Sequence, residues 1–308
     1  MRALITGGAG FLGSALANRL VDDGHTVLVI DDLTEGDPRR LSSGVLMNRG
    51  DVRDVPKLWT LLQGVDCVYH LAARVRVAES VHYPGDYNAV NVGGTVAVME
   101  AMRDTGVRRV VLASSGAIYG EQREQPIAEG QRPHPSSPYA VSKIAAEHYV
   151  STLGALYDIE TVSLRIFNAY GPGQDLPPSY PPVIPQWLRQ AQTGGSLVVF
   201  GDGSQTRDFV YVDDVVDALV RAATAVGADR AVINVGSGKE VSMNALADQV
   251  AQTTGKRVSL LHNPGQSGGV SRLVAGVALA RDLLGWTPTT SLDQGLQLTL
   301  ERDTRFQA

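Results

Sequence analysis

Residues 3–13 read ALITGGAGFLG, an apolar run followed by a turn with regularly spaced glycines. The apolar run predicts a buried strand, and the residues after the turn predict a helix. Glycines at this spacing allow a tight turn, a close approach of the backbone to a pyrophosphate, and close packing of helix on strand. The helix N-terminus adds unpaired N–H groups and a partial positive charge. The stretch predicts a dinucleotide site contacted by Gly7, Gly10, Phe11, Leu12 and Gly13.

The alternation of apolar runs and helical patterns continues through the first half of the chain. Strands are predicted at residues 3–5, 26–30, 45–48, 67–70, 110–113 and 161–164, and helices at 12–22, 55–62, 93–103 and 139–157. Strands that are continuous in Val, Leu and Ile are buried on both faces, as parallel strands are. Right-handed crossovers are expected between them. The predicted fold class is α/β, a doubly wound parallel sheet of the Rossmann type.

Two carboxylates, Asp31 and Asp32, end the second predicted strand, about 20 residues past the glycine turn. A carboxylate there is placed to accept hydrogen bonds from the adenosine ribose hydroxyls. It would also repel a 2′-phosphate, so NAD is expected rather than NADP. Asp51 and Val52, after the third strand, are weaker candidates for an adenine contact.

The texture of the sequence changes near residue 170, in a loop rich in Pro and Gly. Shorter elements follow: a helix at 184–192, strands at 197–200 and 208–211, and helices at 213–223, 243–254 and beyond residue 292. We expect residues 1–168 to form an NAD-binding domain, with a strand and helix near 208–236 returning to it. Residues 169–308 are expected to form mainly a smaller C-terminal α/β substrate-binding region.

Composition and charge narrow the class of protein. The 308 residues include 27 basic and 32 acidic side chains, a formal charge of −5, with no long run of like charge. This gives no support to a nucleic-acid or anionic-membrane partner. The single cysteine, Cys67, lies in a predicted strand, and no Cys/His cluster has metal-ligand spacing, so no metal is expected. Without a signal-peptide pattern or a transmembrane-length apolar run, a cytoplasmic protein is expected.

Tyr139 and Lys143 stand four residues apart on a predicted helix, and therefore on one face. A nearby ammonium favours the phenolate and brings the pKa of the tyrosine toward a value at which it serves as an acid or base. With ten tyrosines and four lysines in the chain, chance places such a pair in about one sequence in eight.

Two serines, Ser114 and Ser115, end a predicted strand. Ligands bind outside the carboxyl ends of parallel strands, so both side chains are expected to point toward the cofactor. Alone, such serines are more often strand-end hydrogen-bonding groups. Together with the glycine turn and the Tyr/Lys pair, they indicate the reactive end of a site.

Further motifs complete a resemblance to a known family. They are HLAA at 70–73, NVGGT at 91–95, PYAVSK at 138–143, RIFNAYGP at 165–172 and RDFVYV at 207–212. With the glycine turn and the two serines, the chain resembles the extended short-chain dehydrogenase/reductases. Within them it is similar to the NAD-dependent sugar-nucleotide epimerases of the UDP-glucose 4-epimerase type, from Leu4 to at least Trp286.

The resemblance implies a role for each matching residue. Tyr139 is the expected acid/base, Lys143 holds the nicotinamide ribose and tunes Tyr139, and Ser115 hydrogen-bonds the reacting hydroxyl. Further contacts to a tightly bound NAD are implied for Leu71, Ala72, Ala73, Asn91, Ser114 and Phe167. Contacts to the nucleotide-sugar substrate are implied for Asn168 and Arg207 at the diphosphate, and for Val183, Val199 and Phe200 at the nucleoside. A homodimer built on the helices at 93–103 and 139–157 is also implied.

The residues after Ser115 favour epimerisation over elimination. In the family that this chain resembles, members that eliminate water have a Thr-Asp-Glu pattern at this place. Members that decarboxylate the sugar have a Glu at the position of Ala117. This chain has Gly116 and Ala117 instead. Epimerisation requires no added carboxyl group, because one group deprotonates the hydroxyl, NAD takes the hydride, the ketone turns over, and the hydride returns to its other face.

Two departures from the family pattern concern the substrate. Asn263 stands where relatives have a phosphate-binding arginine, residues 267–269 resemble an insertion, and Arg272 is expected to replace the lost charge. Leu273 aligns with the residue that gates the sugar pocket. The alternatives are therefore a UDP-glucuronate or UDP-N-acetylhexosamine 4-epimerase, a non-sugar NAD(P)-dependent dehydrogenase or ketoreductase, and a non-enzymatic NAD sensor.

Overall fold

The computed structural model describes residues 1–265 and 269–307. Its strands are β1 (Arg2–Thr6), β2 (Thr26–Asp31), β3 (Val45–Arg49), β4 (Cys67–His70), β5 (Arg109–Ser115), β6 (Glu160–Ile166), β7 (Asn168–Tyr170), β8 (Leu197–Phe200), β9 (Thr206–Arg207), β10 (Phe209–Tyr211), β11 (Ala231–Val235), β12 (Val241–Ser242) and β13 (Leu260–Asn263). Its α-helices are α1 (Phe11–Asp22), α2 (Val55–Leu61), α3 (Val77–His82), α4 (Pro84–Tyr87), α5 (Gly94–Thr105), α6 (Pro138–Tyr157), α7 (Val183–Gln192), α8 (Val212–Ala222), α9 (Met243–Thr254), α10 (Ala278–Leu284) and α11 (Leu292–Arg302).

Seven of the described strands form one parallel sheet, in the order β11-β6-β5-β4-β1-β2-β3. Ala3 and Ile5 of β1 face a layer that contains α1 and α8, whereas Leu4 faces a layer that contains α2, α5 and α6. All three side chains are fully buried. Helices on both faces explain why these strands read as continuous apolar runs. The predicted fold class is confirmed.

The strand order places the site at the carboxyl ends of the central strands of this sheet. From β1 the chain runs outward through β2 and β3 on one side, and through β4, β5 and β6 on the other. The loops that follow β1, β2, β4 and β5 therefore meet at the carboxyl ends of the central strands. A crevice at such a reversal of strand order is where open α/β sheets bind ligands.

The second half of the chain both extends the sheet and builds a smaller region beside it. β11 pairs with β6 at the edge of the main sheet, and α8 packs against α1. The smaller region contains the parallel pair β8–β13, with α7, α9 and α11 packed near it. The short pairs β7–β10 and β9–β12 lie between the two. Residues 267 and 268 of the expected insertion lie outside the described residues.

Some elements differ from those expected from the sequence. Residues 77–93 form α3, α4 and a π-helical segment, Asn88–Gly93, that leads directly into α5. These pieces are too short and too interrupted by Pro84 and Gly85 to show a helical repeat. The strand predicted at 208–211 begins one residue later, since the carboxylate of Asp208 turns inward to accept four hydrogen bonds from residues 237, 238 and 275.

None of the helices formed by residues 1–265 and 269–307 is long and apolar enough to cross a membrane.

Candidate active site

A cleft of about 350 Å³ opens at the carboxyl ends of the central strands. Most of the residues predicted to bind the cofactor or to react lie around it: Gly7, Gly10, Phe11, Leu12, Gly13, Asp31, Asp32, Asp51, Val52, Leu71, Ala72, Ala73, Ser114, Ser115, Tyr139, Lys143 and Phe167. They come from two strands, five separate loops and two helices, so the fold assembles them into one site.

The glycine turn forms a cradle with no room for side chains. Gly7 has φ +68°, and a Cβ there would lie 2.7 Å from backbone atoms of Ala72. A Cβ on Gly13 would lie 2.2 Å from the carbonyl oxygen of Gly7. Gly10 is the N-cap of α1 and provides no side-chain hydrogen bond, and no acidic residue stands in the first turn of the helix. The first backbone N–H groups of α1 therefore remain available to an anion, which suits a dinucleotide pyrophosphate.

Asp31 organises the adenosine end of the cleft. Its carboxylate accepts hydrogen bonds from the backbone N–H groups of Ala9, at 3.0 Å, and Leu33, at 2.9 Å. Burial raises the pKa of this carboxyl, and the two backbone donors oppose the rise. Asp32 accepts from the N–H of Thr34 at 2.9 Å. The two acids thus set the loop after β2 against the glycine turn, with Asp32 also lining the cleft.

Asp51 and Asn91 bind protein groups in this structure. Asp51 is paired with Arg53 at 2.5 Å, and that hydrogen bond holds the pKa of its carboxyl below the usual range. Asn91 is buried beneath the loop after β4, where it accepts from the N–H of Arg74 at 2.8 Å and donates to its carbonyl at 3.0 Å. It also donates to Ser142 at 2.9 Å. Asn91 therefore shapes the loop, and it lies outside the set of residues that line the cleft.

The reactive end contains the predicted triad of Ser115, Tyr139 and Lys143. Ser137 and Pro138 begin α6, with the Ser137 hydroxyl accepting from the N–H of Ala140 at 3.1 Å, so Tyr139 falls in the first turn of the helix. The Ser115 side chain lies near the Tyr139 hydroxyl and lowers its pKa. Lys143, one turn further, donates from Nζ to the carbonyl of Ala113 at 2.9 Å.

Burial controls the protonation of this triad. It raises the pKa of Tyr139, and the nearby Ser115 side chain lowers it by a smaller amount. It lowers the pKa of Lys143 to about 8, against an opposing effect of Glu147. The expectation that the Lys143 ammonium lowers the pKa of Tyr139 does not hold in this structure, because desolvation of the phenolate outweighs the other effects.

Behind the triad lies a buried ion pair that the sequence did not reveal. Glu147 follows Lys143 by one turn of α6 and binds the guanidinium of Arg165 at 2.8 Å. Glu147 also accepts a short hydrogen bond from the Ser114 hydroxyl, and Arg165 donates to the hydroxyl of Tyr119 at 2.8 Å. The four-residue spacing of Tyr139, Lys143 and Glu147 was the available signal, since such residues share one helix face.

Except for Ser115, the predicted substrate residues are not among those that line this cleft. Asn168 donates to the carbonyl of Asp208 at 2.9 Å, and Arg207 donates to the carbonyls of Thr206 and Val270, both at 2.7 Å. Arg272 forms a two-point ion pair with Glu240, at 2.6 and 2.8 Å.

The apolar substrate candidates divide by exposure. Val199 is buried, whereas its neighbour Phe200 is 45% exposed, because alternate residues of β8 face opposite sides. Val183 is the first residue of α7 and is partly buried. Leu273 is buried against a cluster that includes Tyr119 and Phe167, which connects the proposed sugar gate to the reactive end of the cleft.

The cleft is suited to NAD by its own geometry. The glycine cradle, the carboxylates after β2 and the Tyr/Lys pair follow one another along it. Gln174, which also lines it, has a buried side-chain oxygen with no hydrogen-bond partner among the described residues. Within residues 1–265 and 269–307, no group of three or more His, Cys, Asp or Glu side chains is arranged to hold a metal. Fold and site together define a Rossmann-type enzyme that uses a nicotinamide dinucleotide.

Comparisons with known proteins narrow this class to a family. A model of the NAD dependent epimerase/dehydratase family matches residues 3–236. The chain is 38% identical over 308 residues to the UDP-glucose 4-epimerase of Mycolicibacterium smegmatis, with 98% of each sequence covered. The chain therefore belongs to the NAD-dependent epimerase/dehydratase family, and the predicted family and NAD cofactor are confirmed.

Solved structures show the same likeness. The UDP-glucose 4-epimerase of Thermotoga maritima, solved with UDP-glucose, superimposes with a TM-score of 0.94 at 34% identity over 98% of both chains. MoeE5, solved in complex with UDP-glucuronic acid and NAD, superimposes with a TM-score of 0.90 at 35% identity over the whole of both chains. The likeness therefore extends beyond the cofactor domain to the C-terminal region.

Proposed function

We propose that the chain catalyses the NAD-dependent 4-epimerisation of a UDP-hexose, with UDP-glucose and UDP-galactose as the favoured pair. The observation that carries the proposal is the buried pair of Tyr139 and Lys143, with the partly buried Ser115 near them and no carboxyl group at Ala117. Membership of an NAD-dependent family identifies the cofactor. The full-length likeness to UDP-glucose 4-epimerases supports a nucleotide sugar as the substrate.

The triad performs the proton chemistry of this reaction. When bound, NAD supplies the hydride-accepting ring and a positive charge that favours the Tyr139 phenolate. Tyr139 Oη then takes the proton of the sugar 4-hydroxyl, and Ser115 Oγ, which lies near it, orients that hydroxyl. Lys143 is held at the floor of the site by the Ala113 carbonyl, within reach of a ribose beside Tyr139. After the 4-keto sugar has turned over, Tyr139 returns the proton as the hydride returns to the opposite face.

The substrate half of the proposal assigns the diphosphate to Asn168 and Arg207, and the nucleoside to Val183, Val199 and Phe200. Burial lowers the pKa of Arg207, an effect opposed by the charge of Glu121. Since an arginine stays charged in either case, it is suited to bind a phosphate. Of the strand pair, Phe200 presents the exposed ring and Val199 supports it from the core. Arg272 remains a candidate that must first leave Glu240.

A second candidate concerns the sugar. Asn263 stands where relatives have a phosphate-binding arginine, and this departure leaves a carboxylated or N-acetylated UDP-sugar as the alternative substrate. The family members solved with UDP-glucuronic acid, and with UDP-N-acetylmuramic acid, show that the same fold accommodates such ligands in those proteins.

Assembly and location complete the proposal. We infer a cytoplasmic homodimer that pairs α5 and α6 with their copies across a two-fold axis. Exposed apolar side chains on α6 support this interface, among them Val141, Tyr149 and Leu156, which are 52%, 45% and 72% exposed.

The test is a set of four incubations of the purified protein without added cofactor. UDP-glucose, UDP-galactose, UDP-glucuronate and UDP-N-acetylglucosamine are each followed by NMR. Appearance of the 4-epimer in any tube supports the reaction and identifies the sugar. Net accumulation of free NADH with a ketone product, and no epimer in any tube, would overturn epimerisation in favour of a one-way dehydrogenase.

A further inference from the structure

Two loops flank the glycine turn from opposite sides. The loop after β4 touches it at Ala72, whose backbone lies 2.7 Å from a Cβ built on Gly7. The loop after β2 touches it at Gly36 and Asp37, with the N–H of Asp37 donating to the carbonyl of Ala9 at 2.9 Å. A side-chain contact between these two loops would therefore join the two sides of the glycine turn, where the pyrophosphate of a dinucleotide would lie.

Such a contact exists between Arg76 and Glu35. The two side chains form a short ion pair, and both residues line the cleft. The Arg76 side chain is 22% exposed and the Glu35 side chain 48% exposed, so water screens the pair only in part. The residues are 41 positions apart in sequence and belong to different βα loops.

Both ends of this ion pair are held in place by their own loops. The backbone of Arg76 donates to the hydroxyl of Tyr87 at 3.0 Å, and the same hydroxyl donates to the Arg76 carbonyl at 2.7 Å. On the other side, Asp31 and Asp32 accept from the N–H groups of Leu33 and Thr34, which turn the chain into Glu35. The contact is therefore built on two prepared anchors.

A second ion pair extends the contact toward the substrate region. Arg40, after β2, binds Asp175 at 2.7 Å across 135 positions of sequence, and Asp175 also lines the cleft. Asp175 and Glu79 act on the Glu35 carboxyl as like charges, and Arg74 and Arg76 as opposite charges. These charged side chains surround the same opening.

We propose that the Glu35–Arg76 ion pair, supported by Arg40–Asp175, is a clasp that closes over NAD and slows its entry and release. The inference rests on the proposed function, in which the cofactor must remain bound while the ketone turns over. The pair is formed without a ligand. Breaking it therefore speeds entry and release together and leaves the equilibrium affinity nearly unchanged.

The test measures NAD exchange rather than turnover. The holoenzyme is mixed with an excess of isotopically labelled NAD, and label on the protein is followed after rapid desalting. For Arg76→Gln, Glu35→Gln and the double variant we expect exchange about three- to fivefold faster, the change expected when a partly exposed ion pair is lost. The double variant should exchange no faster than the singles, because each single already breaks the pair. Arg221→Gln, which breaks the surface pair with Asp217, is the matched control and should exchange as wild type does.

Equilibrium binding separates the clasp from a direct cofactor contact. The Kd for NAD, measured by calorimetry on stripped protein, should change less than about twofold in the variants. A Kd that weakens as much as exchange accelerates would show that Arg76 binds NAD directly, and would overturn the clasp. Exchange equal to wild type in all variants would overturn it as well. Neither result bears on epimerisation by the wild-type enzyme, so failure of the clasp and failure of the proposed function are distinguishable.

Discussion

The cofactor half and the substrate half of the molecule differ in how their polar groups are already bound. In the cofactor half, backbone groups hold the charged side chains in place. Two N–H groups donate to Asp31, and one carbonyl accepts from Lys143. In the substrate half, the long side chains of Arg207 and Arg272 hold backbone carbonyls and Glu240. We therefore expect the cofactor half to bind its ligand with little change, and the substrate half to exchange partners when its ligand binds.

The largest expected effect is at the reactive end of the prepared half. Tyr139→Phe removes the group that moves the proton, and kcat should fall about 10³-fold, the range typical of a lost general acid/base. NMR of epimer formation measures the loss, and NAD content after denaturation shows that the cofactor half is intact. Tyr83→Phe, between α3 and α4, is the control, because the Tyr83 side chain is 57% exposed and does not line the cleft; it should keep activity within about twofold. Retention of a tenth of the activity by Tyr139→Phe would contradict the assignment.

A second prediction tests why NAD binding requires glycine at position 7. Either a side chain has no room there, or only glycine readily adopts the positive φ. Gly7 and Gly24 both have positive φ, +68° and +81°, but a Cβ meets Ala72 at Gly7 and nothing within 4 Å at Gly24. Replacing either glycine with alanine should cost about 1 kcal/mol of stability through backbone strain. Only Gly7→Ala should also weaken NAD binding, by at least about tenfold, since the loop at Ala72 must move away from the pyrophosphate site. Thermal unfolding and NAD titration separate the two effects, and equal NAD affinity in both variants would count against the cradle.

A third prediction compares the two arginines of the substrate half. Arg207→Ala should raise KM for the UDP-sugar about tenfold with NAD content unchanged, the effect of losing a charge-assisted contact to a phosphate. Arg272→Ala should raise KM less than about threefold, because its charge is already balanced by Glu240. If Arg272→Ala has the larger effect, Arg272 leaves Glu240 and takes the place of the arginine missing at Asn263.

The last prediction concerns stability beneath the loop after β4. His70 is buried between the hydroxyls of Thr6 and Thr95, and burial lowers its pKa to about 3. Between an unfolded pKa near 6.5 and the folded value, the unfolded chain binds a proton that the folded chain does not. The free energy of unfolding should therefore fall as pH falls through this window, by up to about 1.4 kcal/mol per pH unit from this residue. Urea unfolding at pH 7 and pH 5 should show a smaller difference for His70→Gln than for the wild type, and equal differences would contradict it.

Features that depend on residues close together in the chain could be predicted from the sequence alone. The glycine spacing at 7, 10 and 13, the four-residue step from Tyr139 to Lys143, and the apolar strands all express local backbone geometry. Those patterns predicted the doubly wound sheet and many of the residues around the cleft, whereas Leu71, Ala72, Ala73 and Phe167 were predicted only from the family resemblance. The sequence also predicted cofactor contacts for Asp51 and Asn91, but it could not show that Arg53 and the Arg74 backbone bind these two side chains.

Contacts between residues that are far apart in the chain could be identified only from the folded structure. Glu35 meets Arg76, Arg40 meets Asp175, and Glu147 meets Arg165, although no local pattern marks these pairs. Likewise, burial rather than Lys143 dominates the pKa of Tyr139, because burial depends on everything packed around the helix. An ion pair between loops forms where the folded path brings two charges together, and that path is a property of the whole chain.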